Sequence, residues 1–141
     1  PVFVSSKEVR DVILNDKHIK KVLNTSKNAN IAIVGIGDVE FSTMRDIGTL
    51  DEEDIKKLKS CGAVGDINTI FFDKNGNLAD SELVNRTVAI TLEELKNIKK
   101  IIAVAGGEKK TDAIHAALKG KLMDVLITDE SVARNILAQY K

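Results

Sequence analysis

Residues 101–128 read IIAVAGGEKKTDAIHAALKGKLMDVLIT, and the fold turns on how this stretch is read. IIAVA (101–105) is short, branched and almost continuously apolar, which predicts a strand covered on both faces. Two glycines end it. A helical pattern follows, with Lys110, Ile114, Ala117 and Leu118 on one stripe. Gly120 stands where that helix should stop. DVLIT (124–128) then reads as a second buried strand. Strand, helix and strand in this order predict an α/β unit with parallel strands.

Working outward, the same alternation extends back to residue 31. IAIVGI (31–36), AVGDINTIFF (63–72) and TVAI (87–90) read as further buried strands. Helices are expected between them, each with a start signal: Thr49 with Glu52, Thr91 with Glu94, and Ser5 with Glu8 have capping-box spacing. Ile55, Leu58 and Cys61 fall on one helical face, and Leu92, Leu95 and Ile98 on another. Gly62 marks a helix end. A last helix over about residues 130–140 should bury Val132, Ala133, Ile136, Leu137 and Tyr140. The fold predicted is a single α/β domain with a mostly parallel sheet and helices on both faces. Residues 1–28 form a helical lead-in, VRDVILN and KHIKKVLN with Asp16 as a cap between them, and residues 29–141 form the core. A helical pair packed on the sheet edge and a helix-turn-helix both fit the lead-in. DKNGN (73–77) reads as a tight turn. It lacks the glycine position and closing glutamate of a calcium loop.

Bulk composition narrows the function classes. The chain has 141 residues, 43% hydrophobic and 30% charged, with 21 basic and 21 acidic side chains. A net charge of zero argues against a strong electrostatic hold on nucleic acid or an anionic membrane. One cysteine, Cys61, excludes an internal disulfide, and no Cys/His cluster has zinc spacing. No apolar run is long enough to span a bilayer, and the opening PVFVSSKEVR has no signal-peptide pattern. A cytoplasmic protein is expected. The chain opens on Pro1 rather than Met, so a piece of something longer is one reading.

Parallel sheets place ligands at the carboxyl ends of their strands, which directs attention to four junctions. At AGGEKK, Gly106 and Gly107 lack Cβ atoms and let an anion approach the backbone, while the following helix offers free amides and a positive dipole end. Lys110 tops the buried stripe of that helix, and Lys109 lies on a more outward one. The alternative is an ordinary Gly-Gly turn with a snorkelling lysine. GIGD (35–38) begins like a dinucleotide fingerprint, but Glu40 takes the third glycine position. A flexible loop carrying Gly37 and Arg45 fits better, and a guanidinium suits phosphate. Asp66 is a carboxylate inside an apolar stretch, so it must be paired or hydrogen-bonded. It could accept from sugar hydroxyls, pair with a lysine or cap a turn. In LITDE (126–130), Thr128 is a good N-cap and the acids suit a first helical turn. His18 and His115 have no nucleophile or carboxylate partner in sequence, and Cys61 reads as packing.

Taken together, GIGD (35–38), GAVGDI (62–67) with FFD and its turn, VAGGEKKTDAI (104–114) and ALKGKLMDVLITDESVARNIL (117–137) resemble the carboxyl-terminal effector-binding domain of SorC-type sugar-binding transcriptional regulators. PVFVSSKEVRDVIL is similar to the segment that leads into that region. The resemblance implies a fold like the sugar-phosphate isomerases and deaminases with catalysis lost. It implies a phosphorylated sugar as effector, and DNA binding only through a separate helix-turn-helix domain that has no counterpart in this chain. Lys110 matches a phosphate-contacting lysine, Asp66 an acidic position facing the sugar, and Arg45 loosely a phosphate-binding arginine. The family domains are longer, and their preceding strand with a Gly/Thr-rich phosphate loop has no match here.

The function expected is therefore a sugar-phosphate-sensing domain. Its ligand residues are Lys110, Gly106, Gly107, Asp66, Arg45 and Gly37, and no catalytic residue, metal or cofactor is assigned. A homo-oligomer is expected, because an open sheet edge calls for a cover. The rival is a sugar-phosphate isomerase or deaminase with Asp66 or Asp129 as base. A pure assembly module without a ligand is the third option.

Overall fold

The computed structural model describes residues 2–40, 48–79 and 81–139. The lead-in folds as two helices, α1 (Lys7–Asn15) and α2 (Lys17–Lys27). Asp16 caps α2 by accepting from the His18 and Ile19 amides, as the sequence suggests. Ser6, not Ser5, caps α1. Neither helix buries a residue fully, and Leu23 of α2 leans on the main core.

The apolar runs then form six strands in two sheets rather than one. β1 (Ile31–Val34), β5 (Lys100–Val104) and β6 (Val125–Ile127) form a parallel sheet in the order β1-β5-β6. β2 (Ile36–Asp38), β3 (Ala63–Ile67) and β4 (Ile70–Asp73) form an antiparallel one in the order β2-β3-β4. The α/β class and a parallel sheet stand, but "mostly parallel" is corrected: half of the strands are antiparallel.

Two local events divide the runs. IAIVGI breaks at Gly35, so β1 serves one sheet and β2 the other. AVGDINTIFF folds back on itself as a hairpin, with Asn68 (φ 50°) and Thr69 (φ 66°) both left-handed. Two such residues in a row make the type I′ turn that matches strand twist. TVAI forms no strand. Thr87 makes only an isolated bridge to Phe3.

Between the sheets lies the larger core, with Ile36, Ile67 and Phe72 from the antiparallel sheet and Ile101 and Ala103 from the parallel one. Helix α5 (Thr111–Lys119) packs here against β2 and β3, its Ala113, Ile114, Ala116 and Ala117 buried. Beyond the antiparallel sheet lies a second core of Val39, Leu50, Ile55, Leu58, Ala63, Phe71, Ala79 and Leu83. Helix α3 (Glu52–Ser60) and the 3-10 turn Glu82–Arg86 supply its outer wall. An ion pair of 2.6 Å between Arg86 and Asp54 ties those two elements together.

The expected helices on both faces are found for the antiparallel sheet only. Among the described residues nothing covers the outer face of the parallel sheet, where Ile33 is 75% and Ile127 54% exposed.

The remaining helices are α4 (Leu92–Lys96), with the predicted Thr91/Glu94 capping box, and α6 (Glu130–Ala138). For α3 the box is Asp51/Asp54 rather than Thr49/Glu52. Helix α6 buries Val132 and Ile136, but Leu137 of the predicted stripe is 65% exposed. Tyr140 lies outside the described residues. Asp73 accepts from the Asn75 and Asn77 amides, which confirms the turn at DKNGN.

Candidate functional site

The site grows from the pairing of β2 with β3, which sets Gly37 opposite Asp66. A Cβ at position 37 would stand 2.1 Å from Asp66 Oδ1. Gly37 is therefore the clearance that lets a carboxylate lie across β2. Asp66 is 7% exposed. Its Oδ2 accepts from the Thr69 amide at 3.1 Å, so the carboxylate also steadies a left-handed threonine, a conformation a β-branched residue resists. Burial pushes the Asp66 pKa up. The Thr69 amide and the charge of Lys110 pull it back, and burial wins.

Lys110 arrives from the other sheet. After β5 the chain passes Gly106 and Gly107 into a 3-10 turn, Glu108–Lys110, which packs against β2. Lys110 is half-buried and acts electrostatically on Asp66, as its place on the inward stripe predicts. Ile114 and Ala117 of that stripe are buried, while Leu118 is 36% exposed. Helix α5 begins one residue later and has no side-chain cap. The other α-helices among the described residues are capped, by Ser6, Asp16, Asp51, Thr91 and Asp129. The 3-10 turn runs straight into α5, with the Lys110 amide donating to the Gly107 carbonyl and the Thr111 amide to the Glu108 carbonyl, so it is the positive end of the helix dipole that stands beside a lysine, an arrangement that favours an anion.

The paired glycines have a more specific cause than anion access. Gly106 packs on Asp129, whose Oδ2 would lie 2.6 Å from a Cβ. The Gly107 amide, on a residue with φ 94°, donates to the same oxygen at 2.6 Å. The other oxygen, Oδ1, accepts from the Val132 amide at 2.9 Å and the Ser131 hydroxyl at 2.6 Å. Asp129, not Thr128, is therefore the cap of α6, and one carboxylate ties the glycine loop to that helix. Bonds from the Ser131 hydroxyl and the Val132 and Gly107 amides lower its pKa to about 2.

The structure thus joins Gly37, Asp66, Lys110, Gly106 and Gly107 in one corner between the two sheets. It qualifies one of them, because the Gly107 amide is already engaged. Arg45 lies in the segment 41–47, outside the described residues. Sequence reasoning missed the Asn68-Thr69 turn that Asp66 holds, since neither residue is a glycine. It also missed the Thr128 hydroxyl, which is buried without a hydrogen-bond partner among the described residues. His115 is buried in α5, and the Cys61 thiol donates to the Leu58 carbonyl at 3.1 Å. The described residues contain no group of three or more His, Cys, Asp or Glu placed to hold a metal, and no helix long and apolar enough to cross a membrane.

Comparison with known proteins finds relatives along almost the whole chain. A family model described as "Putative sugar-binding domain" matches residues 1–138. The deoxyribonucleoside regulator of Bacillus subtilis is 37% identical over 97% of this chain, which spans 44% of that protein. Among solved structures, a DeoR family transcriptional regulator from Listeria monocytogenes superposes with a TM-score of 0.92 and 37% identity, covering 96% of this chain and 56% of its own. The full-length sorbitol operon regulator SorC of Klebsiella pneumoniae superposes with a TM-score of 0.87 and 27% identity, over 97% of this chain and 44% of its own. The chain spans about half or less of each of these relatives.

Proposed function

The chain belongs to the sugar-binding domain family of SorC- and DeoR-type transcriptional regulators, and from that premise we propose that its corner between the sheets binds a phosphorylated sugar as a regulatory signal. The observation that carries this reading is the half-buried Lys110 beside the uncapped end of α5. The ammonium and the positive end of the α5 dipole take the phosphate, with Gly106 and Gly107 giving it room. Arg45 is proposed as a second phosphate contact. Asp66, across Gly37, accepts from sugar hydroxyls. A ligand anion at Gly107 competes with Asp129 for the amide, so binding loosens the tie between the glycine loop and α6.

The output is a change in DNA binding by another part of the regulator in the cytoplasm, through a shift in oligomer state or loop order. On this reading the domain senses and does not catalyse, and it needs no cofactor. One observation favours the rival. A buried carboxyl with a raised pKa is what a general base requires, and Asp66 has one. Asp129, held near 2, is a poor base at neutral pH. Turnover of a phosphosugar that Asp66→Asn abolishes would establish the isomerase or deaminase reading.

The test is thermal unfolding with a panel of sugar phosphates, for the chain and for Lys110→Ala. Ligand at a hundred times its dissociation constant adds about 2.7 kcal/mol, and for a domain of this size the melting temperature rises by roughly several degrees. A rise with one sugar phosphate that Lys110→Ala removes supports the reading. A rise that Lys110→Ala leaves intact refutes this site.

A further inference from the structure

Arg10 lines two spaces that adjoin beside the lead-in helices. One is a chamber of about 120 Å³ with Ile70, Leu78, Val84, Ile90 and Leu92 in its walls. The other is a cleft of about 420 Å³ between α1, α2 and the chain at 89–94, and its charged groups are Arg10, Lys20, Lys27 and Glu94. The two share Arg10, Ala89 and Thr91. An apolar chamber therefore stands behind a cationic mouth. Neither space uses a residue of the corner formed by Gly37, Asp66, Lys110, Gly106 and Gly107.

The charges at the mouth are unevenly spent. The Arg10 side chain is 23% exposed, and its Nε donates to the Thr87 carbonyl at 3.0 Å. That bond holds the guanidinium at the wall the two spaces share. Its carboxylate partner Asp11 stands 3.7 Å from Nη1, beyond hydrogen-bond reach, and is also held by Lys7. Lys20 donates to the neutral Asn15 side chain at 2.8 Å. Glu94, the one carboxylate in the described wall of the cleft, is taken by Lys27 at 3.2 Å and by the Thr91 amide at 2.9 Å. The planar fork of Arg10 thus keeps donors for a carboxylate that matches it. In the chamber, Leu78 is 47% exposed and offers apolar surface for an occupant to cover.

We propose that chamber and cleft together form a second ligand site, for a short aliphatic carboxylate. The carboxylate sits on the Arg10 guanidinium with Lys20 beside it, and the alkyl tail enters the chamber. An apolar cavity of roughly 150 Å³ takes a benzene ring, so a chamber of this size suits a tail of about four carbons.

The test is titration calorimetry on the protein as its own chromosomal locus produces it, with acetate, butyrate, valerate and octanoate. Expected is an affinity that rises about fourfold per methylene up to valerate and falls at octanoate, which the chamber is too small to hold. Arg10→Gln keeps a nitrogen for the Thr87 carbonyl and should weaken valerate binding about tenfold or more. Leu78→Trp fills the chamber from an exposed position and should abolish binding with the melting temperature kept, which decides the matter if Arg10→Gln does not fold. No binding of valerate, an affinity flat along the series, or one still rising at octanoate would overturn the proposal. So would 1-pentanol binding as tightly as valerate, since the cations would then play no part. Loss of valerate binding in Lys110→Ala would also overturn it, by moving the carboxylate to the phosphate corner.

Discussion

Phe71 and Phe72 are neighbours on β4 and point into different cores, 2% and 0% exposed. Ile33 and Val34 are neighbours on β1. Val34 packs inward, while Ile33 is 75% exposed. The strands of the parallel sheet are the more apolar, with Lys100 alone polar, while those of the antiparallel sheet carry Asp38, Asp66 and Asp73; yet among the described residues the antiparallel sheet is sandwiched and the parallel one is covered on a single side. Apolar pattern alone therefore does not say where the stability of this chain resides. The sandwiched sheet carries it, because a buried large side chain contributes far more than an exposed one.

The sharpest way to break this comparison is to truncate both sheets. Phe72→Ala should cost about 3–5 kcal/mol, whereas Ile33→Ala should stay within about 0.5 kcal/mol. Urea unfolding of the two variants checks this, and similar losses would mean the parallel sheet is as well supported as its partner. Next in size is Gly120→Ala. Gly120 is not left-handed; Lys121 takes that conformation (φ 51°). A Cβ at 120 would lie 2.6 Å from the backbone of Gly76, in the turn after β4. Forcing the turn off the end of α5 should cost roughly 1–3 kcal/mol, visible as a lowered urea midpoint. Gly62→Ala meets no atom within 4 Å and is limited by its φ of 80° alone.

Two carboxylates sharpen the comparison through pH. Asp66 belongs to the sandwiched sheet, and its folded pKa is raised by burial. The folded state then holds the Asp66 proton more tightly than the unfolded chain does. Its contribution is most favourable below about pH 4 and declines as pH rises through the raised value. Asp66→Asn should remove that decline, keep an oxygen for the Thr69 amide, and abolish the response to a sugar phosphate. Asp129 ends the open sheet and has the opposite sign. With a folded pKa near 2, its contribution is complete above about pH 4 and is lost as pH falls toward 2. Asp129→Asn keeps the cap geometry and removes the charge, and it should raise affinity for inorganic phosphate modestly in calorimetry. Weaker binding would show that Asp129 contacts the ligand rather than competing with it.

How far the sequence reaches follows from which forces are local. The strand runs at 31–36, 63–72, 101–105 and 124–128, though not the one expected at 87–90, were legible, as were the Thr91/Glu94 box, Asp16 and the inward Lys110, because each rests on spacing within a few residues. The division into two sheets was not. Gly35 differs in sequence from no other permissive glycine, and Asn68-Thr69 lacks the glycine that usually marks a two-residue hairpin. A strand buried in a sandwich also shows the same unbroken apolar run whether its neighbours are parallel or antiparallel. The caps at 49, 51, 128 and 129 were ambiguous because Thr and Asp are both good caps within two residues of each other. At the site, Asp66 was legible as a buried charge in need of a partner. The grip of Asp129 on Gly107 was not, because it joins residues 22 apart in sequence.

The contact between Gly76 and Gly120 also constrains inheritance. A Cβ at 120 would lie 2.6 Å from Gly76 Cα, and one at 76 would lie 2.4 Å from Gly120 Cα. Neither glycine can be exchanged while the other backbone stays in place, so the two positions behave as one heritable character. Lineages that lengthen or reshape the turn after β4 are free to lose glycine at 120. Lineages that keep the turn must keep both.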